Sequence, residues 1–505
     1  MGSAKKKNGF GSGIGFILAA AGSAVGLGNL WSFPYKTSAN GGAAFVFVYI
    51  LCVILFGGIV MMAEIYIGRR AQANPISAYK KANKKIGWLG VFAILIPILI
   101  TCYYTVLGGY TIKFTLNSFN DNSSVLSTFS GNIGEVIMCS GIFLVLALII
   151  VMGGVKGGIE KASKILMPAL FVILVGIVIY CLCLGDGVAE GLKFYLLPNF
   201  AELGFDGILA AMGQAFYSLS LGMGIMVAYG SYTSSEIKLG KSVLMICIFD
   251  TLVAFLAGLA IFPSIFHYQT NGSGMKIEGM FLMFQSLPMV FASLGTIGNI
   301  LSLLFFAMIT IAAITSVISL LEVATQFIIQ KFKIKRKKAI LIISAITFIF
   351  TIIIGISLGF DIQGENKLKI FGLNGLDFFD TIANIVLMPI CAFGSCVVVG
   401  WLIDKKPTAN PFKTLKSLKE DGLQIGKFGK IFVIMVKYVA PILILVIEIF
   451  GIKETIFKNG TFSLNGLGVV LVACAILAIC IIIYFIFMAN KDTGTNEDEL
   501  LLESK

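Results

Sequence analysis

Long apolar runs separated by short charged stretches fill most of the chain between residues 13 and 488. A membrane-crossing helix needs about 20 mostly apolar residues. Twelve segments meet that requirement, near 13–36, 42–67, 88–117, 134–153, 165–184, 206–232, 241–265, 297–329, 339–359, 376–403, 431–451 and 465–488. Two of them carry residues that weaken a helix. The first, AGSAVGLGNLWSFP at 21–34, places Gly22, Ser23, Gly26 and Gly28 within the apolar run, and the sixth, GQAFYSLSLGMGIMVAYGSY at 213–232, places Ser218, Ser220, Gly222 and Gly224 at its middle. Glycine-interrupted spans at corresponding places in two halves point to an inverted-repeat transporter. Close helix packing accounts for many other glycine runs, so spacing leaves both readings open.

Composition supports a membrane assignment. Of 505 residues, 58% are hydrophobic, 13% are charged and 42 are Phe, and the mean hydropathy is +0.96. Such a chain is too apolar for a soluble protein and reads as an all-α membrane protein of twelve transmembrane helices. The first span follows Lys5, Lys6 and Lys7 without the small-residue cleavage pattern of a secretory signal, so it reads as retained. Basic clusters at Lys5, at Arg69 to Lys85, in KFKIKRKK at 331–338 and between 405 and 430 alternate with basic-poor loops such as 118–133 and 360–375. The positive-inside rule therefore places both termini in the cytoplasm of a multi-pass plasma-membrane protein. The net charge of +12 then reflects topology rather than nucleic-acid binding, because the clusters follow span ends.

The expected organisation is a cytoplasmic tail at 1–12, a five-helix repeat at 13–184, a second inverted five-helix repeat at 185–403, helices 11 and 12 at 404–488, and a cytoplasmic tail at 489–505. Ten cysteines lie mainly within spans with neither CxxC nor metal-ligand spacing, and read as small core residues. The single histidine, His267, reads as a loop residue, and the sequons at Asn122, Asn271 and Asn459 identify no compartment. Three acids stand out. Glu64, Asp250 and Glu322 sit within apolar runs, where an acidic side chain needs a partner unless it lies nearer the interface.

At this point the motifs AGSAVGLGNLWSFPY, MAEIYIGR, CYYTVLGGYT, GGIEKASKILMPALF, QAFYSLSLGMG and ITSVISLLE are similar, in order, to those of the neurotransmitter:sodium symporter family, and in particular to its bacterial amino-acid transporters. The resemblance implies broken helices 1 and 6 within inverted five-helix repeats and two co-transported sodium ions, with no other cofactor. It assigns the first sodium to the Ala24 carbonyl, the Asn29 side-chain oxygen, Ser218, Asp250 and the substrate carboxylate. It assigns the second to the carbonyls of Gly22, Val25 and Ala312 and the hydroxyls of Thr315 and Ser316. All are hard oxygen donors, which suit an alkali cation. Chloride-dependent relatives carry Asn where this chain has Asp250, and some bacterial relatives carry Glu near Ala254, so the resemblance implies chloride-independent transport, with Asp250 a candidate to take up a proton on the return step.

The substrate site carried over by the resemblance comprises Ala24, Gly26, Gly28, Ile100, Tyr104, Tyr217, Ser218, Ser220, Met223, Ser316 and Leu320. Monoamine transporters place Asp at the position of Gly26, so glycine there favours an amino acid with its own carboxylate, bonded by Tyr104. A mostly apolar lining without charge favours a neutral hydrophobic side chain, aromatic or large aliphatic, and Met223 supplies adaptable packing. Tyr104 and Tyr217 would close above the substrate. The usual outer gate, an Arg on span 1 and an Asp on span 10, falls on Ser32 and Asp380, so its cation is missing. The inner pair falls on Lys7 and Gln330. Gly158 and Pro168 match a segment able to unwind on the cytoplasmic side, although Pro168 also suits the first turn of a helix.

Other classes fit less well. With one histidine and no HExxH, no GxSxG in a strand-turn-helix setting and no Cys–His constellation, a membrane enzyme lacks its chemistry. An ion channel or a non-transporting amino-acid sensor on the same scaffold would share the binding residues, and accumulation against a gradient distinguishes a carrier from both.

Overall fold

The computed structural model describes residues 9–120, 125–270, 279–365, 367–403, 429–458 and 461–492, together with 416 and 418. The expectations for Lys7, for residues 1–8 and 493–505 of the two tails and for the three sequon asparagines fall outside these residues. Described segments are almost entirely helical. One two-residue antiparallel hairpin, Phe457–Lys458 against Thr461–Phe462, is an exception.

The principal helices are α1 (Gly13–Ala24), α2 (Gly28–Ala39), α3 (Ala43–Ala71), α4 (Lys84–Leu116), α5 (Ile133–Met152), α6 (Val155–Leu182), α7 (Phe200–Ser218), α8 (Ile225–Ser231), α9 (Leu239–Gln269), α10 (Gly279–Ser293), α11 (Gly295–Phe332), α12 (Arg336–Ile362), α13 (Gly375–Leu402), α14 (Gly429–Ile456) and α15 (Leu464–Ile486). Among the described residues, ten helices are each long and apolar enough to cross a membrane, and the pair α1 and α2 adds an eleventh span bent by 50°. The sixth expected span is two shorter pieces, α7 and α8. Residues 219–224 between them adopt turn and bend conformations; the 7 residues of α8 are too few for a span, and the 19 of α7 are interrupted at Gly204, whose φ of 59° and ψ of 178° are non-helical.

Other boundaries differ less. The fifth span begins at Val155 rather than near 165, because the polar run VKGGIE forms a widened π turn that continues into the helix instead of a loop. Pro168 consequently lies well inside that helix and not in its first turn. The start of α1 is fastened to the same segment: Ser12 caps it by accepting from Gly15 N at 3.0 Å, while Glu160 accepts from Gly11 N at 2.6 Å and Ser12 Oγ at 3.0 Å.

Large apolar side chains face lipid on the outer helices, including Ile149, Val172, Ile349 and Ile442. Inside, α4 and α11 pack along each other at the centre, with α1, α3, α8 and α9 gathered beside them. Small residues set the closest contacts, as expected where lipid removes the hydrophobic drive between helices. A Cβ at Gly68 on α3 would overlap the Val227 carbonyl, and one at Gly230 on α8 would overlap the Ile65 carbonyl. The two backbones touch directly, anchoring the short α8 to a full-length span. Gly68→Val is therefore expected to destabilise the protein by roughly 2 kcal/mol or more, measured as a lower midpoint for thermal unfolding in detergent.

Candidate functional site

Two breaks face each other near the centre of the bundle. In the first, α1 ends at Ala24, and Val25 is extended at φ −69° and ψ 106° before α2 opens with a π turn over Gly28–Ser32. In the second, Ser220, Gly222 and Gly224 adopt φ of 53°, 73° and 70°, left-handed values that glycine adopts without steric cost. Cβ atoms at Gly222 and Gly224 would also strike the carbonyls of Met388 and Ala93.

Side chains from neighbouring helices meet the freed backbone groups. Tyr104 accepts from Leu27 N at 2.8 Å. Gln214 donates to the Gly28 carbonyl at 2.8 Å and accepts from Ser32 Oγ at 2.9 Å, linking the first break to α7. Ser220 reaches back to the Ser23 carbonyl at 3.1 Å. Glu64 accepts from Gly222 N at 2.8 Å, so this intramembrane acid is engaged by the second break.

Asp250 is fully buried and is surrounded by donors. Asn29 Nδ2 donates to its Oδ1 at 2.8 Å and its carbonyl at 3.0 Å, while Ser218 Oγ and Tyr49 OH donate to Oδ2 at 2.8 and 3.2 Å. The structure thus gathers Asn29, Ser218 and Asp250 as expected, with one difference. The Asn29 oxygen is turned to Gly26 N at 3.1 Å, because a buried carboxylate needs donors and the amide NH₂ supplies them. Tyr49 is an addition that an apolar run, AAFVFVYILC, did not advertise. Its hydroxyl was the only signal.

The residues expected around the second ion also lie together. Thr315 Oγ1 donates to the Ala312 carbonyl at 2.9 Å, and Ser316 Oγ donates to the Val25 and Ser23 carbonyls at 3.3 Å each. Gly22 lies against Thr315, where an added Cβ would come within 3.3 Å. Ser319 joins the group through Ser23 Oγ at 2.7 Å. Its position four residues after Thr315, on one helix face, was a usable but unread signal.

Between the breaks lies a cavity of about 30 Å³, lined by Ala24, Gly26, Gly28, Ile100, Tyr104, Tyr217, Ser220, Met223, Ser316 and Leu320, with Ser23 and Ile225 as additions. Of the expected lining, Ser218 is absent, since its hydroxyl turns to Asp250. No lining residue is charged. At Gly26, a Cβ would stand 2.5 Å from both Ser316 Oγ and Tyr104 OH, so any side chain there would displace both hydroxyls. A space this size holds roughly two waters; a larger guest needs movement of side chains such as Met223 or Leu320.

Tyr217 lines this cavity and also an outer one of about 520 Å³, forming part of the partition between them. Asp380 lines the outer cavity and is bonded by Asn384. Ser32 does not reach Asp380 and is held by Gln214 instead. Toward the other end, Gln330 accepts from Asn74 N and Nδ2 at 2.9 and 2.7 Å. An ion pair on that side is made by Glu322, which is bonded bidentately by Arg336 and also accepts from Tyr232 OH at 2.7 Å. Gly158 packs against the Ile150 carbonyl, leaving no room for a Cβ.

The chain is similar to known proteins over most of its length. The profile of the Sodium:neurotransmitter symporter family matches residues 7–128 and 124–491. The chain is 33% identical over 449 residues to the uncharacterized sodium-dependent transporter YhdH of Bacillus subtilis, covering 86% of this chain and 95% of that protein. It is 32% identical over 469 residues to an uncharacterized sodium-dependent transporter of Haemophilus influenzae, covering 88% and 98%. The crystal structure of MhsT in complex with L-phenylalanine superposes with a TM-score of 0.78 at 34% identity, covering 88% of this chain and all of that one. The chain belongs to the sodium:neurotransmitter symporter family, multi-pass membrane transporters for which sodium is a co-transported ligand.

Proposed function

We propose that the protein imports a neutral hydrophobic amino acid, aromatic or large aliphatic, together with sodium, by alternating access and without chloride. The observation that carries this reading is the uncharged cavity between two broken helices, with the buried Asp250 carboxylate bonded to Asn29 and Ser218 of those breaks. Backbone groups at the breaks suit the charged ends of an amino acid: half-helix N-termini attract carboxylate, and unwound carbonyls attract cations. Ile100, Met223 and Leu320 give the remaining wall an apolar character that suits an apolar side chain. The relative MhsT was crystallised with L-phenylalanine, a ligand of this class.

In the proposed mechanism, the first sodium enters where Ala24, Asn29, Ser218 and Asp250 converge. Rotation of the Asn29 amide would exchange its donor for its oxygen, releasing Asp250 to the ion. Asp250 then supplies, within the protein, the negative charge that chloride supplies elsewhere, and on the return step it is the candidate to carry a proton. The second sodium sits between Gly22, Val25, Ala312, Thr315 and Ser316, whose hydroxyls at present satisfy the neighbouring carbonyls. Ion and substrate favour closure only through differential affinity for the closed arrangement. Each inward sodium contributes roughly 2.3 kcal/mol per 100 mV. Release inward follows unwinding of α6 between Gly158 and Pro168.

The same reading completes the architecture. Counting α7 and α8 as one span, with α1 and α2 as another, yields twelve. Residues 13–184 and 185–403 form the inverted repeats, α14 and α15 follow, and both termini face the cytoplasm of a bacterial plasma membrane.

Two measurements test the reading. Reconstituted protein is expected to accumulate members of an amino-acid pool such as phenylalanine or leucine from external sodium but not potassium, at a rate unchanged when gluconate replaces chloride. Absence of sodium-dependent accumulation of every amino acid overturns the transport reading, and loss of uptake without chloride overturns chloride independence. Asp250→Asn removes the proposed ion ligand and its charge. Its sodium half-activation is expected to rise at least about tenfold, the equivalent of about 1.4 kcal/mol, with partial recovery when chloride is supplied.

A further inference from the structure

The outer cavity carries charge that the inner one lacks. Asp206 from α7, Asp377 and Asp380 from α13 and Glu454 from α14 line it together with one ammonium among the described lining residues, Lys36 of α2. Residues four apart share a helix face, so Lys36 lies one turn beyond Ser32 and opens on the same cavity as Ser32. Lys36 interacts electrostatically with both Asp380 and Glu454, and no direct ion pair joins the three among the described residues. From Asp380 the connection continues inward. Asn384 donates to Asp380 and also to Tyr103 OH, the latter at 3.1 Å, and Tyr103 lines the outer cavity together with Tyr217. Tyr217 then lines the inner pocket.

We propose that Lys36 is the positioning residue for closing the outer mouth, its ammonium shared between Asp380 and Glu454 as α2 draws toward α13 and α14 over Tyr217. The cation missing at Ser32 is thereby replaced one turn farther out, and α14 is recruited through Glu454. Two acids from different helices make the clasp directional. Asp380 alone would tie α2 to α13, whereas Glu454 extends the tie across the cavity. The proposal rests on the alternating-access reading above.

The test uses the full-length protein in proteoliposomes, with Lys36→Gln, Lys36→Arg and Glu454→Gln compared with the native residues. One readout is the rate at which a membrane-impermeant methanethiosulfonate modifies Ala210→Cys on the cavity wall, corrected for the parent's own cysteines, in potassium and in sodium plus L-phenylalanine. The other is the split between Vmax and sodium half-activation for L-phenylalanine uptake. Lys36→Gln is expected to raise labelling at least threefold in both media and lower Vmax at least fivefold, with sodium half-activation changed less than twofold. Lys36→Arg should restore both, and Glu454→Gln should shift both in the same direction as Lys36→Gln. Unchanged labelling in Lys36→Gln, or a defect that Arg fails to restore, overturns the clasp. If Lys36→Gln does not reach the membrane, Glu454→Gln decides by the same criterion. Labelling in potassium needs no substrate, so a native protein that takes up no amino acid would overturn the transport reading while leaving Lys36 tested.

Discussion

The structure depends on one constraint: backbone groups freed at membrane depth must find partners, because each orphan there costs several kcal/mol. Two helices are broken near the centre of the bundle, and side chains from other helices meet their exposed groups. Tyr104 takes Leu27 N, Gln214 takes the Gly28 carbonyl, Ser220 takes the Ser23 carbonyl and Glu64 takes Gly222 N. These bonds tie the breaks to α3, α4 and α7, so the weakest stretches of helix sit within a dense polar lattice. The lattice also leaves a small uncharged cavity between the breaks, which is where we propose the amino acid binds.

Asp250 places the same constraint on charge. A carboxylate inside a bundle is tolerated when it is well bonded, and Asn29, Ser218 and Tyr49 provide that from three helices. The arrangement is complete without a cation, yet each of its donors is also an oxygen carrier. In the proposed mechanism, exchange of these donors for an ion would alter contacts to α2, α3 and α7 together, a physical route from ion binding to helix movement. Glu322 differs in its partners. Its bonds to Arg336 and Tyr232 join α11 to α12 and the end of α8.

Much of this was legible from residue pattern. Hydrophobic runs located the long helices to within a few residues in most cases, and clustered glycines located both breaks. Motif similarity identified ten lining positions of the inner cavity. What pattern missed has a common cause: Tyr49, Gln214 and Ser319 act through partners distant in sequence, and a single polar residue in an apolar helix does not reveal which helix will face it. The start of α6 was missed because VKGGIE is polar enough to resemble a loop, whereas its π turn is held in place by the packing of Gly158 against Ile150 and by the bonds of Glu160 to the start of α1.

The sequence by itself determined a multi-spanning helical protein, the location of its two weak spans and the acids that would need partners, because hydropathy and glycine content are local properties. Tertiary structure decided how those weak points are used. It turned the Asn29 oxygen toward Gly26, withdrew Ser218 from the cavity wall, took Ser32 to Gln214, and brought Lys36, Asp380 and Glu454 to the wall of one cavity. Each choice follows from which partner lies within hydrogen-bonding or electrostatic reach once the helices are packed, and that reach is a property of the assembled bundle.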